Sequence, residues 1–464
     1  MSQSTSAESN GKELVQGITG ISVSGYKSLY EECSIEVRPL TILAGANSSG
    51  KSSIMQPLLL MKQTLEATYD PGALLLNGSN VQFTLAEQIF SYLTRESNNN
   101  KISITIEIDK KKSVINKFKK QKGKALEVIE TTDEENGRRL TFSTKMTRQD
   151  IVALLYKRYQ DEVFGQVFLE GKGEVVEKLE WNILRERCFL NLICRSVAYT
   201  QAAGQQVPIP MILYDSGSRM SQFQAHIRKL LHVPGLRGNP ERTYPTTAIG
   251  SEFPGTFENY VASVVNDWQN TNNARLRKLE SDLKALGLTD KIEARQVNDV
   301  QIELRVSRLP GSNEVSHMVS IADVGLGVSQ VLPVLVALLV AEPGQLVYLE
   351  QPEVHLHPRA QTALAEILAD AAKRGVRVVL ETHSELLLLA VQSLVAEGKL
   401  SSDLVKLHWF TRREDGVTKV SSADLDEAGA FGDWPEDFGD VSMKLESRYL
   451  DAAESRLWNR SHGG

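Results

Sequence analysis

Cysteine is scarce in this sequence. Three cysteines occur among the 464 residues, at Cys33, Cys188 and Cys194. They form no C-x-x-C pair, which argues against both a disulfide framework and a zinc ribbon. Cys188 and Cys194 lie in an apolar stretch, where they are predicted to be core residues of a helix. This cysteine usage fits the reducing cytoplasm best.

The sequence also lacks a basic excess and a long apolar run. Its net charge of −6 argues against a protein that coats nucleic acid generally, so any such contact must come from a local patch. The longest apolar run, 331–341, is too short to span a bilayer and contains Pro333. The first residues are polar and have no apolar core. We therefore predict neither secretion nor membrane insertion, and a cytoplasmic location.

What the sequence does contain is a glycine-rich loop. Residues 45–52 read GANSSGKS and fit G-x-x-x-x-G-K-[ST], with an apolar strand before them and an apolar helix after them. Such a loop cradles phosphates with backbone N–H groups at a helix N-terminus, so ATP and Mg²⁺ are the predicted ligands. Lys51 is predicted to reach the β- and γ-phosphates, and the Ser52 hydroxyl to hold Mg²⁺. The alternative is a glycine-rich turn that matches by chance. The predicted nucleotide-binding residues of the loop are Gly45, Ala46, Asn47, Ser48, Ser49, Gly50, Lys51, Ser52 and Ser53.

Strands and helices alternate in the second half of the chain. This order predicts a parallel sheet with crossover helices, and together with the loop it predicts an α/β fold of the P-loop NTPase class. The predicted strands are 41–44, 300–306, 345–350, 376–380 and 404–410, and the predicted helices are 327–341, 358–373 and 384–397.

An acidic residue ends one of these buried strands. Residues 346–358 read LVYLEQPEVHLHP, which places Glu350 at the carboxyl end of the strand. A carboxylate in this position can orient Mg²⁺ and its waters beside the phosphates. Glu350 is therefore predicted to hold the metal together with Ser52.

The same segment resembles the D-E-P-E-x-x-L-H-P signature, the Walker B and D-loop motif of the SMC-like branch of ABC ATPases. The chain resembles the ATPases of the OLD (overcoming lysogenization defect) type, several of which serve in bacterial anti-phage systems. G-Y-K-S at 25–28 resembles the family's N-F-K-S, and Thr382-His383-Ser384 resembles its switch-histidine motif. The resemblance implies an ABC-type ATPase head that dimerises around ATP, with His383 near the γ-phosphate.

The resemblance also assigns roles to two loops. Residues 323–330, DVGLGVSQ, occupy the place of the signature motif, where a helix N-terminus from a second subunit caps the nucleotide. Residues 234–242, PGLRGNPER, resemble a segment of a subset of these ATPases, which implies that Arg237 and Arg242 contact nucleotide or a partner. The implied signature contacts are Gly325, Gly327, Ser329 and Gln330.

One departure from the family pattern affects the chemistry. Gln351 stands where the family has the glutamate that polarises the attacking water, and glutamine cannot accept a proton. Either Glu353 or Glu350 then acts as the base, or the protein is chiefly an ATP-dependent clamp. We predict a catalytic set of Glu350, Gln351, Glu353 and His383, with hydrolysis that is slow.

Four further side chains have more than one interpretation. His355 and His357 form H-x-H, which fits either a metal site or a structural role, and the structural role is favoured because no third ligand is spaced nearby. Trp434 and Phe438 are predicted to anchor a core or an interface.

The predicted domains place an insertion between two ATPase lobes. They are a disordered tail (1–15), lobe 1 (16–108), the insertion (109–299), lobe 2 (300–425) and a C-terminal segment (426–464), which ends in a predicted helix. The insertion is predicted to begin with a loop and then to be mainly helical, with helices near 150–156, 186–194, 257–268 and 273–286. The loop could track the phosphate backbone of DNA or be a solvated surface. Its lysines are Lys110, Lys111, Lys112, Lys117, Lys119, Lys120, Lys122 and Lys124.

Too few residues follow the second lobe for a Toprim nuclease domain. The resemblance therefore implies a homodimer or higher homo-oligomer that acts as a sensor or scaffold for a separately encoded effector, such as a nuclease. Two alternatives remain open, an SMC-like DNA-binding repair ATPase and a scaffold that binds ATP without turnover.

Overall fold

A computed structural model describes residues 16–91, 100–120, 125–159, 180–202, 205–215, 217–308, 317–432 and 447–453. The predicted tail at 1–15, Lys122, Lys124, Trp434 and Phe438 lie outside the described residues. Of the predicted C-terminal helix, residues 447–453 are described and are helical.

The helices surround a central sheet. The helix bounds are α1 (Lys51–Glu66), α2 (Arg148–Tyr159), α3 (Gly217–Arg228), α4 (Val261–Asn270), α5 (Ala274–Ala285), α6 (Leu326–Val340), α7 (Pro358–Lys373) and α8 (Glu385–Ala396). Short 3₁₀ helices occur at Ala86–Ile89, Phe257–Tyr260, Ile321–Asp323 and Ser402–Leu404. The predicted helices at 327–341, 358–373 and 384–397 are confirmed as α6, α7 and α8.

Within the described ranges, the strands form four sheets. Their bounds are β1 (Ile18–Ser24), β2 (Cys33–Glu36), β3 (Leu40–Gly45), β4 (Lys101–Ile108), β5 (Lys112–Lys120), β6 (Leu126–Glu135), β7 (Arg138–Ser143), β8 (Glu180–Glu186), β9 (Phe189–Ala202), β10 (Gln205–Asp215), β11 (Leu231–Val233), β12 (Tyr244–Pro245), β13 (Ile292–Asn298), β14 (Gln301–Ser307), β15 (Met318–Ser320), β16 (Leu346–Glu350), β17 (Arg377–Glu381), β18 (Val405–Arg412) and β19 (Thr418–Ala423).

The central sheet has the order β11-β16-β17-β3-β18-β19. Its first five strands run parallel, and β19 returns antiparallel to β18. The loop at 45–52 follows β3, which lies between β17 and β18. Because parallel strands end at a common edge, the residues that follow β3, β16 and β17 meet at one side of the sheet. The predicted parallel sheet with crossover helices is confirmed, but the strand predicted at 300–306 forms β14 in a separate antiparallel sheet, where it pairs with β13.

Both faces of the central sheet are covered, as is typical of parallel sheets. Successive residues of the central strands pack alternately into two hydrophobic clusters, because successive side chains on a strand point to opposite faces of the sheet. Ile42 and Leu380 pack into the cluster formed with α4 to α8, whereas Leu43 and Val379 pack into the cluster formed with α1 and the antiparallel sheet. This burial fixes the register of the strands that carry the site.

An antiparallel sheet with the order β2-β1-β4-β5-β6-β7 packs against α1. Buried residues alternate with more exposed ones along β4, which is the pattern of a half-buried strand. This sheet continues from β4 into β5, so it crosses the proposed boundary at residue 108 between lobe 1 and the insertion.

The lysine-rich segment is not a loop where the structure describes it. Residues Lys112–Lys120 form β5, in the interior of the antiparallel sheet. Lys117 lies 2.7 Å from Glu130 and Lys112 lies 3.4 Å from Glu135, both on β6, and Lys120 contacts Glu87. The prediction of a loop was wrong because charge density alone does not report the alternation of Val114, Asn116 and Phe118, which point inward from the same strand.

The insertion also has more strands than predicted. The segment 186–194 was predicted to be helical, but it contains the end of β8, a turn and the beginning of β9, which pair as an antiparallel hairpin. Its apolar run is short enough to fit either structure, and the pairing with β8 decides it. Cys188 is buried, as predicted, but in the turn of this hairpin rather than in a helix. In contrast, α2, α4 and α5 confirm the helices predicted near 150–156, 257–268 and 273–286.

Among the residues that the structure describes, no helix is both long enough and apolar enough to cross a membrane.

Candidate functional site

The glycine-rich loop joins β3 to α1 as a tight cradle. Gly45 and Gly50 have φ values of 138° and 105°, which L side chains rarely adopt. A Cβ atom at Gly45 would lie 2.2 Å from the Phe410 carbonyl oxygen, and one at Gly50 would lie 2.6 Å from Thr418 Oγ1. Both positions therefore require glycine, for backbone conformation and for space.

The loop is also held by β19. Thr418 Oγ1 lies 2.7 Å from the Ser49 carbonyl oxygen and 2.7 Å from Ser28 Oγ. Ser28 belongs to the G-Y-K-S segment that was singled out in the sequence. Through Thr418, the G-Y-K-S segment therefore supports the glycine-rich loop, although the two motifs are separate in the sequence.

Helix α1 begins at Lys51 directly behind the loop. Its first turn contains no acidic side chain, and Gly50 at the N-cap supplies no side-chain acceptor. The first backbone N–H groups of a helix have no partner within the helix, and the helix dipole adds positive potential there. This end of α1 is therefore suited to bind an anion such as phosphate.

The Lys51 side chain is folded onto the loop. Its Nζ atom donates hydrogen bonds of 2.8 Å to the carbonyl oxygens of Gly45 and Ala46, and the residue is 5% exposed. Burial lowers the pKa of Lys51, an effect that Glu381 opposes. The ammonium group is thus poised beside the cradle, with contacts that an anion could replace.

A cleft of about 620 Å³ opens next to residues 48–53 of the loop. Lys27 forms part of its wall, donates a 2.6 Å hydrogen bond to Gln56 Oε1 and lies 4.6 Å from the centre of the Phe83 ring. The sequence analysis missed several other wall residues because they come from elements far apart along the chain. They are Gln56, Gln88, Phe90, Arg412, Asp415 and Gly416.

Glu350 ends β16, as predicted, but its carboxylate faces β11 and the segment that follows that strand. Oε1 lies 3.1 Å from His232 Nε2, and Oε2 accepts a 3.0 Å hydrogen bond from Gly235 N. Burial alone would raise the pKa of Glu350, but the interactions with His232 and Gly235 outweigh it and the pKa is lowered. His232 also stacks on Tyr348, with ring centroids 5.3 Å apart. The sequence analysis did not anticipate His232, which lies 118 residues away from its partner.

A second carboxylate, Glu381, was also missed. It ends β17, directly opposite Glu350 on the neighbouring parallel strand. Its Oε2 atom accepts a 2.9 Å hydrogen bond from Ser52 Oγ, and its Oε1 atom accepts one from the Tyr348 hydroxyl. Burial raises the pKa of Glu381 to about 7. An acidic residue at the end of the predicted strand 376–380 is the sequence signal that could have identified it.

Glu353 lies in the turn between β16 and α7. Its Oε1 atom accepts hydrogen bonds from Thr382 Oγ1 at 2.6 Å and from His383 N at 3.0 Å. Its Oε2 atom is buried and has no hydrogen-bond partner among the described residues. One oxygen is thus fixed while the other is available to accept a proton.

Gln351 occupies a strained position in the same turn. Its φ of 44° lies in the left-handed region, which is uncommon for residues other than glycine. Its backbone N–H donates a 2.9 Å hydrogen bond to the Glu381 carbonyl oxygen. The turn therefore ties the ends of β16 and β17 together.

His383 follows β17 and is exposed. Its pKa is lowered, first by partial desolvation and then by the positive charge of Lys51. The position of His383 near the γ-phosphate stays a prediction.

The predicted signature residues lie at the start of α6. Gly325 is the N-cap and makes no side-chain cap, and Ser329 Oγ donates to the Leu326 carbonyl oxygen at 3.0 Å. Gln330 is buried, and its amide donates to the carbonyl oxygens of Arg237 and Gly238. None of the predicted signature residues lines the cleft beside the glycine-rich loop of the same chain.

The two arginines of the 234–242 segment have different environments. Arg237 is 7% exposed and donates to the carbonyl oxygens of Pro234, Glu350 and Gln351 at 3.2, 3.4 and 3.2 Å. Arg242 is exposed and forms two hydrogen bonds with Asp323, of 3.1 and 2.7 Å. Arg237 thus supports the end of β16, and Arg242 links its loop to the approach to α6.

His357 has a structural contact in this structure. It is the N-cap of α7, and its Nδ1 atom accepts a 3.3 Å hydrogen bond from Arg359 N. No group of three or more histidine, cysteine, aspartate or glutamate residues suited to a metal ion occurs in the described part of the chain.

Comparisons with known proteins agree with this geometry. Residues 17–178 match the family described as "AAA ATPase domain", and residues 241–390 match the family described as "AAA domain, putative AbiEii toxin, Type IV TA system". No curated protein matches the sequence.

Three similar solved structures are heads of SMC proteins. An Smc head bound to the C-winged helix domain of ScpA has 13% sequence identity and a TM-score of 0.45, covering 89% of this chain and 99% of that one. The head from Pyrococcus furiosus, bound to the C-terminal domain of ScpA, has 13% identity and a TM-score of 0.43, with coverages of 94% and 100%. The head from Thermotoga maritima has 11% identity and a TM-score of 0.38, with coverages of 88% and 100%.

The two family matches contain the glycine-rich loop and the turn after β16, which the fold brings to one edge of the central sheet. The predicted mixed α/β P-loop NTPase fold is confirmed, and the chain contains AAA ATPase domains.

Proposed function

We propose that this protein binds ATP with Mg²⁺ in the cradle at 45–53 and hydrolyses it slowly. The observation that carries the proposal is the convergence of three groups at one sheet edge: the glycine cradle with Lys51, the Ser52 hydroxyl, and the carboxylates that end β16 and β17. This combination provides backbone and ammonium donors for phosphate and oxygen ligands for a cation.

The residues present fit both ligands. Ser49 Oγ is buried within the loop and has no hydrogen-bond partner among the described residues, so a phosphate oxygen could supply one. Ser52 and Glu350 would hold Mg²⁺, which usually takes only one or two protein ligands and completes its shell with waters and phosphate oxygens. When bound, Mg²⁺ neutralises charge on the β- and γ-phosphates.

For hydrolysis, Glu353 is the best-placed general base. Gln351 cannot accept a proton, whereas Glu353 has one anchored and one unpartnered carboxylate oxygen. Its anchor, the backbone of His383, belongs to the segment proposed to sense the γ-phosphate. The base and the sensor would therefore move together. Hydrolysis that disappears in Glu353→Ala would exclude a scaffold without turnover.

We further propose that two ATP-bound copies associate and hold a separately encoded effector, in bacterial anti-phage defence. Support comes from the exposed N-terminus of α6, which lies outside the cleft of its own chain and is free to cap nucleotide on a second copy. The description of the family matched by 241–390, which names a toxin of a toxin–antitoxin system, favours action with a partner protein. The cytoplasm would be the site of action.

The DNA-binding repair ATPase is a weaker alternative. Lys112, Lys117 and Lys120 contact glutamates, so much of their charge is balanced within the protein. Salt-sensitive binding of duplex DNA that stimulates ATP hydrolysis would favour this alternative. Indifference to DNA, together with copurification of an effector, would favour the defence role.

The direct test of the proposal is nucleotide binding by Lys51→Ala. A fluorescent ATP analogue titrated in Mg²⁺ should bind the wild type and should lose most of its affinity for the variant, because the ammonium group contacts the phosphates. Lys284→Ala is the matched control, since Lys284 is exposed at the end of α5. Equal affinity of all three proteins, or no binding by any of them, would contradict the proposal.

A further inference from the structure

Ser52 makes a specific contact with a carboxylate that no sequence motif assigned. Its Oγ atom lies 2.9 Å from Glu381 Oε2 and donates its only proton to that oxygen. A hydroxyl group has one donor and two acceptor lone pairs. With the proton committed to Glu381, both lone pairs of Ser52 are directed to other partners, which is the state in which a hydroxyl can bind a cation.

Several neighbouring groups hold Glu381 in place beside Ser52. β17 lies directly beside the strand that enters the P-loop, with Glu381 opposite Leu43. The other carboxylate oxygen accepts a hydrogen bond from Tyr348, and the backbone carbonyl accepts one from Gln351. Glu381 is 3% exposed, so little water reaches its carboxylate.

Glu350, the carboxylate proposed to hold Mg²⁺ together with Ser52, is not the hydrogen-bond partner of the Ser52 hydroxyl among the described residues. Both oxygens of Glu350 are engaged, by His232 at 3.1 Å and by Gly235 at 3.0 Å. Its backbone carbonyl and that of Gln351 are held by Arg237. No hydrogen bond joins Glu350 to Ser52 among the contacts of the described residues, whereas Glu381 has one.

We propose that Glu381 is the positioning residue of the metal site: it orients the Ser52 hydroxyl so that its lone pairs face the magnesium ion of the bound nucleotide. This inference rests on the proposed function, because it presumes a Mg²⁺-nucleotide in the cradle. It gives the carboxylate at the end of β17 a part in the metal site, in addition to the part predicted for Glu350 at the end of β16.

The test separates Mg²⁺-dependent from Mg²⁺-independent binding. Fluorescent ADP is titrated into the wild type, Glu381→Gln, Glu381→Asp and the exposed control Glu366→Gln, once in Mg²⁺ and once in EDTA. The charged hydrogen-bond acceptor is lost in Glu381→Gln, so the tightening produced by Mg²⁺ should fall about tenfold. Affinity in EDTA should not change. Glu381→Asp keeps the charge and should restore part of the effect, and Glu366→Gln should behave as the wild type.

A double-mutant cycle with Ser52→Ala tests whether Glu381 acts through Ser52. Ser52→Ala should lose the Mg²⁺ effect, and adding Glu381→Gln should then cause little further loss. Fully additive losses would overturn the positioning role, as would a normal Mg²⁺ effect in Glu381→Gln. If Mg²⁺ does not raise the nucleotide affinity of the wild type, both the proposed function and this inference are contradicted. If Mg²⁺ raises the affinity of the wild type and of Glu381→Gln equally, only the inference is contradicted.

Discussion

At the scale of single residues, the base for hydrolysis is the first point that can be tested. Glu353→Gln removes the unpartnered carboxylate oxygen while keeping an acceptor for Thr382 and His383. We expect steady-state phosphate release to fall by about a hundredfold, the usual size of a general-base contribution, with unchanged nucleotide affinity.

The control for this prediction is Glu366→Gln, which changes an exposed glutamate on α7. A Glu353→Gln variant that hydrolyses ATP at the wild-type rate would contradict the assignment. The substitution Gln351→Glu adds information, because a faster rate in that variant alone would place the base at residue 351.

Glu381 gives a second prediction, for the protein without nucleotide or metal. Its pKa of about 7 in the folded protein lies above the ordinary value of 4.5. The folded state therefore keeps a proton that the unfolded state releases between pH 4.5 and 7, so the free energy of unfolding falls as the pH rises through this window. Relative to Glu381→Gln, the wild type should lose about 3 kcal/mol across the window.

Urea unfolding at pH 5 and pH 8 in EDTA measures this difference. A carboxylate with a lowered pKa would complete its change in stability below pH 4.5, so it would leave the unfolding free energy unchanged between pH 5 and pH 8. A wild type whose unfolding free energy does not fall over this range relative to Glu381→Gln would contradict the raised pKa of Glu381.

Single residues also show how much of the site could be predicted from the sequence. The cradle at 45–52 could be predicted because its chemistry lies within eight consecutive residues. Glu381 and His232 could not, because their roles depend on strand register and on contacts with residues that lie between 118 and 329 positions away. Periodicity predicts that a strand exists but does not determine its neighbours.

At the scale of structural elements, Arg237 is expected to hold the end of β16 in place. It is buried, and its guanidinium donates to the carbonyl oxygens of Pro234, Glu350 and Gln351. Arg237→Met should remove these three hydrogen bonds from the buried end of β16 and should reduce the free energy of unfolding by about 2–4 kcal/mol. Urea unfolding measures the change.

Arg242→Met is the matched control, because Arg242 belongs to the same segment but is exposed in its contact with Asp323. Pairs of this kind contribute little to stability. Equal loss of stability in the two variants would contradict a special role of Arg237 beneath the turn.

Some helices and strands could be predicted from the sequence, whereas others could not. The crossover helices and the buried strands of the central sheet were predicted well, because long apolar segments alternate there in a regular order. The segments 112–120 and 186–194 were interpreted wrongly, since their strands owe their form to pairing with β6 and β8 rather than to local preference.

At the scale of the whole molecule, we propose that two ATP-bound copies of the chain associate. Leu326, the first residue of α6, is 42% exposed. If this helix end caps nucleotide on a second copy, Leu326→Asp would place a negative charge beside the phosphates. The variant should lose ATP-dependent association while it still binds the fluorescent nucleotide. Sedimentation velocity and the nucleotide titration together measure the two effects.

Val300→Asp is the control, because Val300 is also an exposed apolar residue but lies in the turn between β13 and β14. It should associate as the wild type does. Association of Leu326→Asp at the wild-type level would remove α6 from the proposed interface.

The central claim is an ATP-gated dimer, and the most direct measurement is the sedimentation of the wild type and Lys51→Ala with and without ATP and Mg²⁺. We expect the wild type to shift from monomer to dimer when ATP is added and Lys51→Ala to remain monomeric. The same distribution of species with and without ATP, or the same shift in both proteins, would contradict it.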